Sequence, residues 1–109
     1  MGVEINQYHI YLVNLDPTVG HEIKKARPCL VVSPDEMNRH LKTVMIAPMT
    51  TKSHEYPSRV ALRFEGKQAW IVLDQLRTVD RISLVKELGK LDIRHIRKMK
   101  DVVREMLVD

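Results

Sequence analysis

The stretch VALRFEGKQAWIVL, residues 60–73, predicts a β-hairpin. Its two halves, residues 60–64 and 68–73, are rich in apolar and β-branched side chains that favour strands. Between them lies Glu65-Gly66-Lys67, a connection of the length and composition typical of a hairpin loop. A chain organised around such a hairpin is expected to be mainly β.

Three shorter stretches upstream have the same character. Residues 8–15 and 43–49 contain strand formers, and residues 29–32 follow Arg27-Pro28, in which the proline favours an extended conformation at residue 27. Ser33-Pro34-Asp35-Glu36 has the pattern of a capping box, with Ser33 as the N-cap. It predicts a short helix that ends near residue 41.

The C-terminal part changes from strand to helix periodicity. Residues 78–82 and 88–91 are candidates for two more short strands. Asp92 is a suitable N-cap for a helix from residue 93 to 107, and its predicted apolar face consists of Ile93, Ile96, Met99, Val103 and Met106. This pattern predicts a single domain over residues 1–109 that is mainly β with a C-terminal helix, a small barrel against which the helix packs.

Length and cysteine content exclude several classes of protein. A chain of 109 residues is too short for a multi-domain enzyme built around a dinucleotide fold. The single cysteine, Cys29, excludes an internal disulfide and a cysteine-rich zinc site, and its apolar neighbours indicate a buried side chain. No stretch approaches the roughly 18 apolar residues of a membrane span, and no signal peptide is recognised. We therefore expect a cytoplasmic protein without membrane association.

The charge of the chain is basic. Eighteen Lys and Arg residues against 14 Asp and Glu give a net charge of +4, which is compatible with a polyanionic partner such as nucleic acid. The sequence contains no His-Glu-x-x-His pair, cysteine cluster or carboxylate cage. No metal or other cofactor is therefore expected.

Five blocks of sequence add a more specific indication. They are residues 10–22, residues 27–34 with Asn38, residues 47–51, residues 73–80 and residues 88–91. In order and spacing they resemble the MazF/PemK-like toxin endoribonucleases. One block alone is weak evidence, whereas five in the same order cover nearly the whole chain.

The resemblance implies the SH3-like small barrel of the CcdB/PemK-like toxin fold, in agreement with the periodicity. Members are typically homodimers that cut single-stranded RNA at short sequences without a metal ion, and a cognate antitoxin protein inhibits them. We therefore expect the toxin of a toxin–antitoxin system, an endoribonuclease of the mRNA interferase type. A small barrel also exposes the apolar surface of its edge strands and helix, which favours a homodimer.

Cleavage by the 2′-hydroxyl of the RNA itself gives a 2′,3′-cyclic phosphate and a 5′-hydroxyl. It requires a base, an acid, and donors for the phosphoryl oxygens. By the resemblance, Arg27 and Thr50 match a catalytic arginine and threonine. A guanidinium can bind two phosphoryl oxygens and a hydroxyl can donate to one. The alternatives are a surface arginine and a threonine that only stabilises a turn.

His21 and Asp74 complete the predicted catalytic set. A histidine titrates near neutral pH, so His21 is a candidate acid or base, with a solvent-exposed loop histidine as the alternative. Asp74 matches a carboxylate that is implicated in base chemistry in some members. Its alternative role is that of a structural hydrogen-bond acceptor.

Seven polar residues near these positions are predicted to bind the substrate: Glu22, Lys24, Lys25, Thr51, Lys52, Gln75 and Arg77. For Gln75 and Arg77 the alternative is a role in the dimer or the fold, and for Glu22 it is pairing with a basic neighbour or capping of the loop. Trp70 is expected in the core or in a dimer interface rather than as a base-stacking side chain. The loops at residues 21–26 and 50–57 are expected to read the RNA bases.

Two positions depart from the family pattern. Gln7-Tyr8-His9 stands where many members carry Arg-Gly and an acidic residue, which puts the local backbone path in doubt. Val72 stands where some members carry an arginine, so a cation near the phosphate is either supplied by another residue or missing.

Two other functions remain open at this point. One is a toxin of the same fold that binds DNA gyrase without catalysis, although the C-terminal end Met106-Leu107-Val108-Asp109 lacks the aromatic residue found in that relative. The other is a barrel that binds RNA but has lost cleavage. Binding without products would distinguish the latter from an endoribonuclease.

Overall fold

The computed structural model describes residues 4–15 and 26–109. They form seven strands and two α-helices, with short 3-10 turns at Leu73–Gln75 and Arg81–Ser83. In chain order the elements are β1 (His9–Asn14), β2 (Ala26–Val31), α1 (Asp35–His40), β3 (Thr43–Thr50), β4 (Arg59–Phe64), β5 (Lys67–Val72), β6 (Arg77–Asp80), β7 (Leu84–Lys90) and α2 (Ile93–Leu107).

All seven strands belong to one antiparallel sheet in the order β4-β5-β3-β2-β1-β7, with β6 paired to β3 beside this path. The long strand β3 has two sets of neighbours. Residues 43–46 pair with β6, whereas Met49 and Thr50 pair with β5. Because one strand serves both parts, the sheet curls into a half-barrel, and α2 packs against it. The predicted fold class is confirmed.

The hairpin of β4 and β5 is confirmed, but its turn is one residue shorter than predicted, because Lys67 already belongs to β5. Phe64 pairs with Lys67, and the two residues between them have positive φ angles, 52° at Glu65 and 78° at Gly66. Two successive residues with positive φ form the turn whose twist matches that of the flanking strands. A glycine is needed here because it adopts this conformation without steric cost.

Two hydrophobic clusters lie on opposite faces of the central strands. Ile10 and Leu30 belong to one cluster, whereas Tyr11 and Cys29 belong to the other. This alternation follows from the period of two along a strand. Cys29 is buried, as predicted, and burial raises the pKa of its thiol to about 12.

Helix α2 begins and ends at the predicted residues, and the carboxylate of Asp92 accepts a hydrogen bond from the backbone N–H of His95, as an N-cap does. The predicted apolar face is partly wrong. Met99 is buried, but Ile93 and Met106 are exposed, and Val102 joins Ile96 and Val103 against the core instead. Only the middle turns of the helix are therefore covered by the core.

The capping-box prediction for α1 is wrong. The helix begins at Asp35, and its N-cap is Pro34, not Ser33. Ser33 is buried, and its hydroxyl donates to the Asn38 side chain and accepts from the Met45 backbone N–H, 3.1 Å away. Ser33 therefore joins α1 to β3.

Two of the weaker strand predictions also change. The strand expected at 78–82 is β6, which ends at Asp80, so Ile82 lies in a 3-10 turn and is 89% exposed. The strand expected at 88–91 begins earlier, at Leu84, because β7 pairs with β1 along an edge that needs no continuous apolar pattern.

The segment before β1 contains a left-handed residue that is not a glycine. Tyr8 has a φ of 70°, in the left-handed region that a tyrosine rarely adopts. Its backbone N–H donates to the Val31 carbonyl at 2.8 Å, and its carbonyl accepts from the Leu91 N–H at 2.9 Å. These two hydrogen bonds hold the strained residue between β2 and the end of β7.

In the described ranges, no helix is long and apolar enough to cross a membrane.

Candidate active site

Arg27 is the second residue of β2, where the chain enters the sheet. Its backbone pairs with Val13 of β1, and Pro28 follows it at the position paired with Leu12. The side chain is exposed. Within residues 4–15 and 26–109, no hydrogen bond or ion pair engages its guanidinium. The sheet thus fixes the backbone of Arg27, whereas its guanidinium is exposed.

Thr50 is the last residue of β3 and pairs with Trp70 of β5. Its hydroxyl oxygen accepts a hydrogen bond from the Lys52 backbone N–H at 3.0 Å. The turn-stabilising role considered for this threonine is therefore present. Accepting this bond leaves the hydroxyl proton free to donate to a ligand, so the turn and the predicted chemistry are compatible.

Both side chains border a cleft of about 300 Å³, called the main cleft below. This volume lies at the lower end of the range of small-molecule sites. A smaller opening of about 180 Å³, the side cleft, also contains Arg27 and Thr50. The main cleft is lined by Arg27, Pro28, Met49, Thr50, Thr51, Lys52, Phe64 and Ala69, and the side cleft adds Pro48, Arg59, Val72 and Gln75.

Five of the predicted site residues thus come together: Arg27, Thr50, Thr51, Lys52 and Gln75. Sequence reasoning missed the apolar walls, of which Phe64 and Ala69 belong to the β4–β5 hairpin. The hairpin itself was predicted, but its position beside β3 follows only from the pairing of β3 with β5.

Asp74 follows β5 and lies beside Arg59. Its carboxylate accepts hydrogen bonds from the Ser58 hydroxyl at 2.9 Å and from the Arg59 guanidinium at 3.3 and 3.5 Å. The hydrogen bond from Arg59, supported by that from Ser58, holds the pKa of Asp74 below its usual range. The carboxylate is therefore ionised at neutral pH and is an acceptor for two side chains.

Arg59 stands directly opposite Val72 in the β4–β5 pair, and both border the side cleft. The arginine that some members carry at position 72 is absent here, but its cross-strand neighbour places a guanidinium at the same cleft. Arg59 also donates to the Ser53 hydroxyl at 2.7 Å, which joins the loop after Thr50 to the start of β4.

Of the remaining predicted residues, only Arg77 belongs to the described ranges, and it lies away from both clefts. Arg77 belongs to β6 and borders a different depression, together with Asn14 and Thr78. His21, Glu22, Lys24 and Lys25 lie outside the described residues. Among the residues that the structure describes, no group of three or more His, Cys, Asp and Glu is placed to hold a metal ion.

Comparison with known proteins now identifies the class. A family model for PemK-like, MazF-like toxins of type II toxin–antitoxin systems matches residues 6–107, and the chain belongs to this family. The resemblance found in the sequence blocks is confirmed.

Two curated relatives and one solved structure illustrate the relationship. Endoribonuclease EndoA of Bacillus subtilis is 27% identical over 101 residues, which cover 87% of each chain. Endoribonuclease MazF of Staphylococcus saprophyticus is 30% identical over 99 residues, or 85% of this chain and 80% of that protein. A MazE–MazF crystal structure from Deinococcus radiodurans superposes with a TM-score of 0.80 at 20% identity and covers 98% of both chains. The last match supports the fold.

Proposed function

We propose that this chain is the toxin of a type II toxin–antitoxin pair and that it acts as an endoribonuclease on single-stranded RNA. The family and the names of two curated relatives support this class of activity. The observation that carries the proposal is the exposed guanidinium of Arg27 beside the hydroxyl of Thr50 in one cleft. A cation and a hydroxyl donor held at the ends of strands can bind the oxygens of a phosphodiester group.

The proposed reaction uses a nucleophile that the substrate supplies. The ribose 2′-oxygen attacks the adjacent phosphorus and loses its proton to a base, while the bond from phosphorus to the 5′-oxygen breaks and that oxygen receives a proton from an acid. Arg27 binds the phosphoryl oxygens as negative charge accumulates on them, and Thr50 donates to one of them. Because the nucleophile is internal, the proposed mechanism requires no metal-activated water.

His21 is the proposed proton-transfer group. An unperturbed imidazole titrates near pH 6.5 and suits both roles. Asp74 is a weaker candidate base because the hydrogen bond from Arg59 lowers its pKa. Thr51, Lys52 and Gln75 are proposed to bind the strand from the two clefts. Glu22, Lys24, Lys25 and Arg77 remain proposed contacts.

Two protein partners are proposed. The solved complexes of related toxins with MazE or with a cognate antitoxin support an antitoxin as one of them. An acidic, partly disordered segment would suit the net charge of +4. The second partner is another copy of the chain, supported by the edge strand β7 and the exposed apolar side chains of Ile82 and Val85. A mass near 12.7 kDa by light scattering at micromolar concentration would contradict the dimer.

The test is cleavage of a long RNA of mixed sequence in the presence of EDTA. We expect discrete fragments with 5′-hydroxyl and 2′,3′-cyclic phosphate ends. Arg27→Ala should reduce the rate by about 10²–10³-fold, because it removes a charged donor aimed at the phosphate. Arg97→Ala, which changes an exposed arginine of α2, is the matched control and should cleave like the original chain. Intact RNA with a folded protein would contradict the proposal and favour gyrase binding or RNA binding without cleavage.

A further inference from the structure

A third opening, called the helix cavity below, lies where α2 meets the β4–β5 hairpin. It has a volume of about 360 Å³, and neither the predicted catalytic residues nor the main cleft account for it. Its walls include Tyr56, Trp70, Arg59, Lys98 and Val102. Two aromatic rings and two cations therefore surround one space.

The strand pairing places this cavity next to the candidate active site. Thr50 pairs with Trp70, and Trp70 pairs with Ala61, so these three side chains form one row across the sheet. Arg59 is two residues before Ala61 and therefore lies on the same face. It borders both the side cleft and the helix cavity. Arg59 is therefore the shared border that an RNA strand in the side cleft would cross to reach the helix cavity.

The groups that border the cavity are of the kinds that bind the base and the phosphate of a nucleotide. The ring of Tyr56 is on an exposed residue, and the Arg59 guanidinium lies over it at 5.3 Å. The indole N–H of Trp70 is buried and has no acceptor among the described residues. Bases stack on aromatic rings whatever their identity, and cations hold the adjoining phosphates. The carboxylate of Glu55, which also borders the cavity, is an acceptor for an exocyclic amino group.

We infer that the helix cavity is a nucleotide-binding subsite for the same RNA strand. A base that flanks the scissile phosphate packs against Tyr56 and Trp70, and its phosphate lies at Arg59 and Lys98. This inference rests on the proposed RNA cleavage. The border that the cavity shares with the side cleft at Arg59 and the two cations favour an RNA strand over an apolar protein segment. Trp70, expected from the sequence in the core or a dimer interface, is half-buried and borders the cavity.

The test compares Tyr56→Leu with Tyr56→Phe in the full chain. Tyr56 is 54% exposed, so neither change should disturb folding, and thermal unfolding checks this. A random-sequence RNA pool first gives the base preference at each position around the cut. Oligonucleotides of the preferred sequence then carry one abasic site, placed in turn at each flanking position.

We expect Tyr56→Leu to raise KM by about 5- to 150-fold, the range given by one lost stacking interaction, and to weaken the base preference at one flanking position. Tyr56→Phe, which keeps the ring, should retain both. At that position alone, an abasic substrate should be cleaved equally by the original chain and by Tyr56→Leu. Lys98→Gln should raise KM for all sequences, whereas Lys42→Gln, at an exposed lysine just before β3 and at the opposite end of that strand from Thr50, should not.

The outcomes separate the two proposals. If the original chain cleaves no RNA, the proposed function fails. If the original chain cleaves and Tyr56→Leu shows an unchanged KM and base preference, the subsite is overturned and the helix cavity is left to a protein partner.

Discussion

The two ends of strand β3 each carry a cluster of polar side chains, and the clusters differ in how they are satisfied. At the first end, Ser33 and Asn38 are only 2% and 1% exposed, yet each has hydrogen-bond partners. The Asn38 amide donates to the Ser33 carbonyl at 2.9 Å, and the Arg81 guanidinium donates to the carbonyls of Asn38 and Leu41. These groups form a closed network, in which the polar side chains are hydrogen-bonded to other groups of the protein.

At the other end, Arg27 and Thr50 face an open cleft. The Arg27 guanidinium is exposed and has no partner in the described part of the chain, and the Thr50 hydroxyl keeps its proton for a ligand. Buried polar groups require partners within the protein, whereas polar groups at a binding site find them in the ligand. The difference supports the proposal that the first cluster holds the fold and the second binds the substrate.

The largest effect that follows from this difference is on catalysis. Arg27→Lys keeps the charge but loses the two-pronged geometry, so we expect the cleavage rate to fall by about 10²-fold. Because the side chain is exposed, the free energy of unfolding should change by no more than about 0.5 kcal/mol. Single-turnover cleavage and urea unfolding measure the two quantities. A loss of stability of several kcal/mol would mean that Arg27 belongs to the fold.

An intermediate effect is expected at the closed network. Asn38→Ala removes the acceptor of the buried Ser33 hydroxyl proton and a donor to the Ser33 carbonyl, while the bond from Met45 remains, and we expect the free energy of unfolding to fall by about 1–3 kcal/mol. The cleavage rate per folded molecule should stay the same. Glu36→Ala, on the exposed side of the same helix, is the control and should change stability little. A selective loss of cleavage in folded Asn38→Ala would remove the distinction between the two clusters.

The smallest expected effect is on the pH dependence of stability, and it comes from Asp74, which lies beside the candidate site. The pKa of Asp74 is lowered in the folded state, mainly by the hydrogen bond from Arg59. This carboxylate therefore adds stability above the ordinary aspartate pKa of about 3.9, and the contribution is lost as the pH falls through the lower folded-state value. Denaturant unfolding between pH 3 and 7 should show a shallower acid decline for Asp74→Asn. The pKa of Asp92 is lowered by its hydrogen bond with His95, so part of the decline should persist.

Much of the fold was predictable because its signals are local. The β4–β5 hairpin follows from strand formers around a glycine, and α2 follows from its N-cap and its period. The hydrogen bonds of the Ser33 hydroxyl were not predictable from the residues next to it in the sequence. The capping pattern involves only neighbouring residues. The Ser33 hydroxyl instead accepts a hydrogen bond from the backbone N–H of Met45, which is twelve residues away in the sequence and lies in β3.

The same limit applies to the candidate site. Arg27 and Thr50 stand out by their place in the family's sequence blocks, and the structure puts both at one cleft. The position of Arg59 between the side cleft and the helix cavity needed the register of β4 against β5. Strand register between distant segments depends on packing across the whole sheet, so one sequence does not specify it.

The shared strand β3 also determines when, during synthesis, a complete cleft can exist. Arg27 and Thr50 emerge first, but Phe64 and Ala69 complete the main cleft, and they come from the later hairpin. A growing chain that ends before residue 69 therefore carries both candidate catalytic side chains without the wall that faces them. Completion of the cleft is thus tied to late, long-range strand pairing, and a ribosome-bound fragment of this chain should be inert toward RNA.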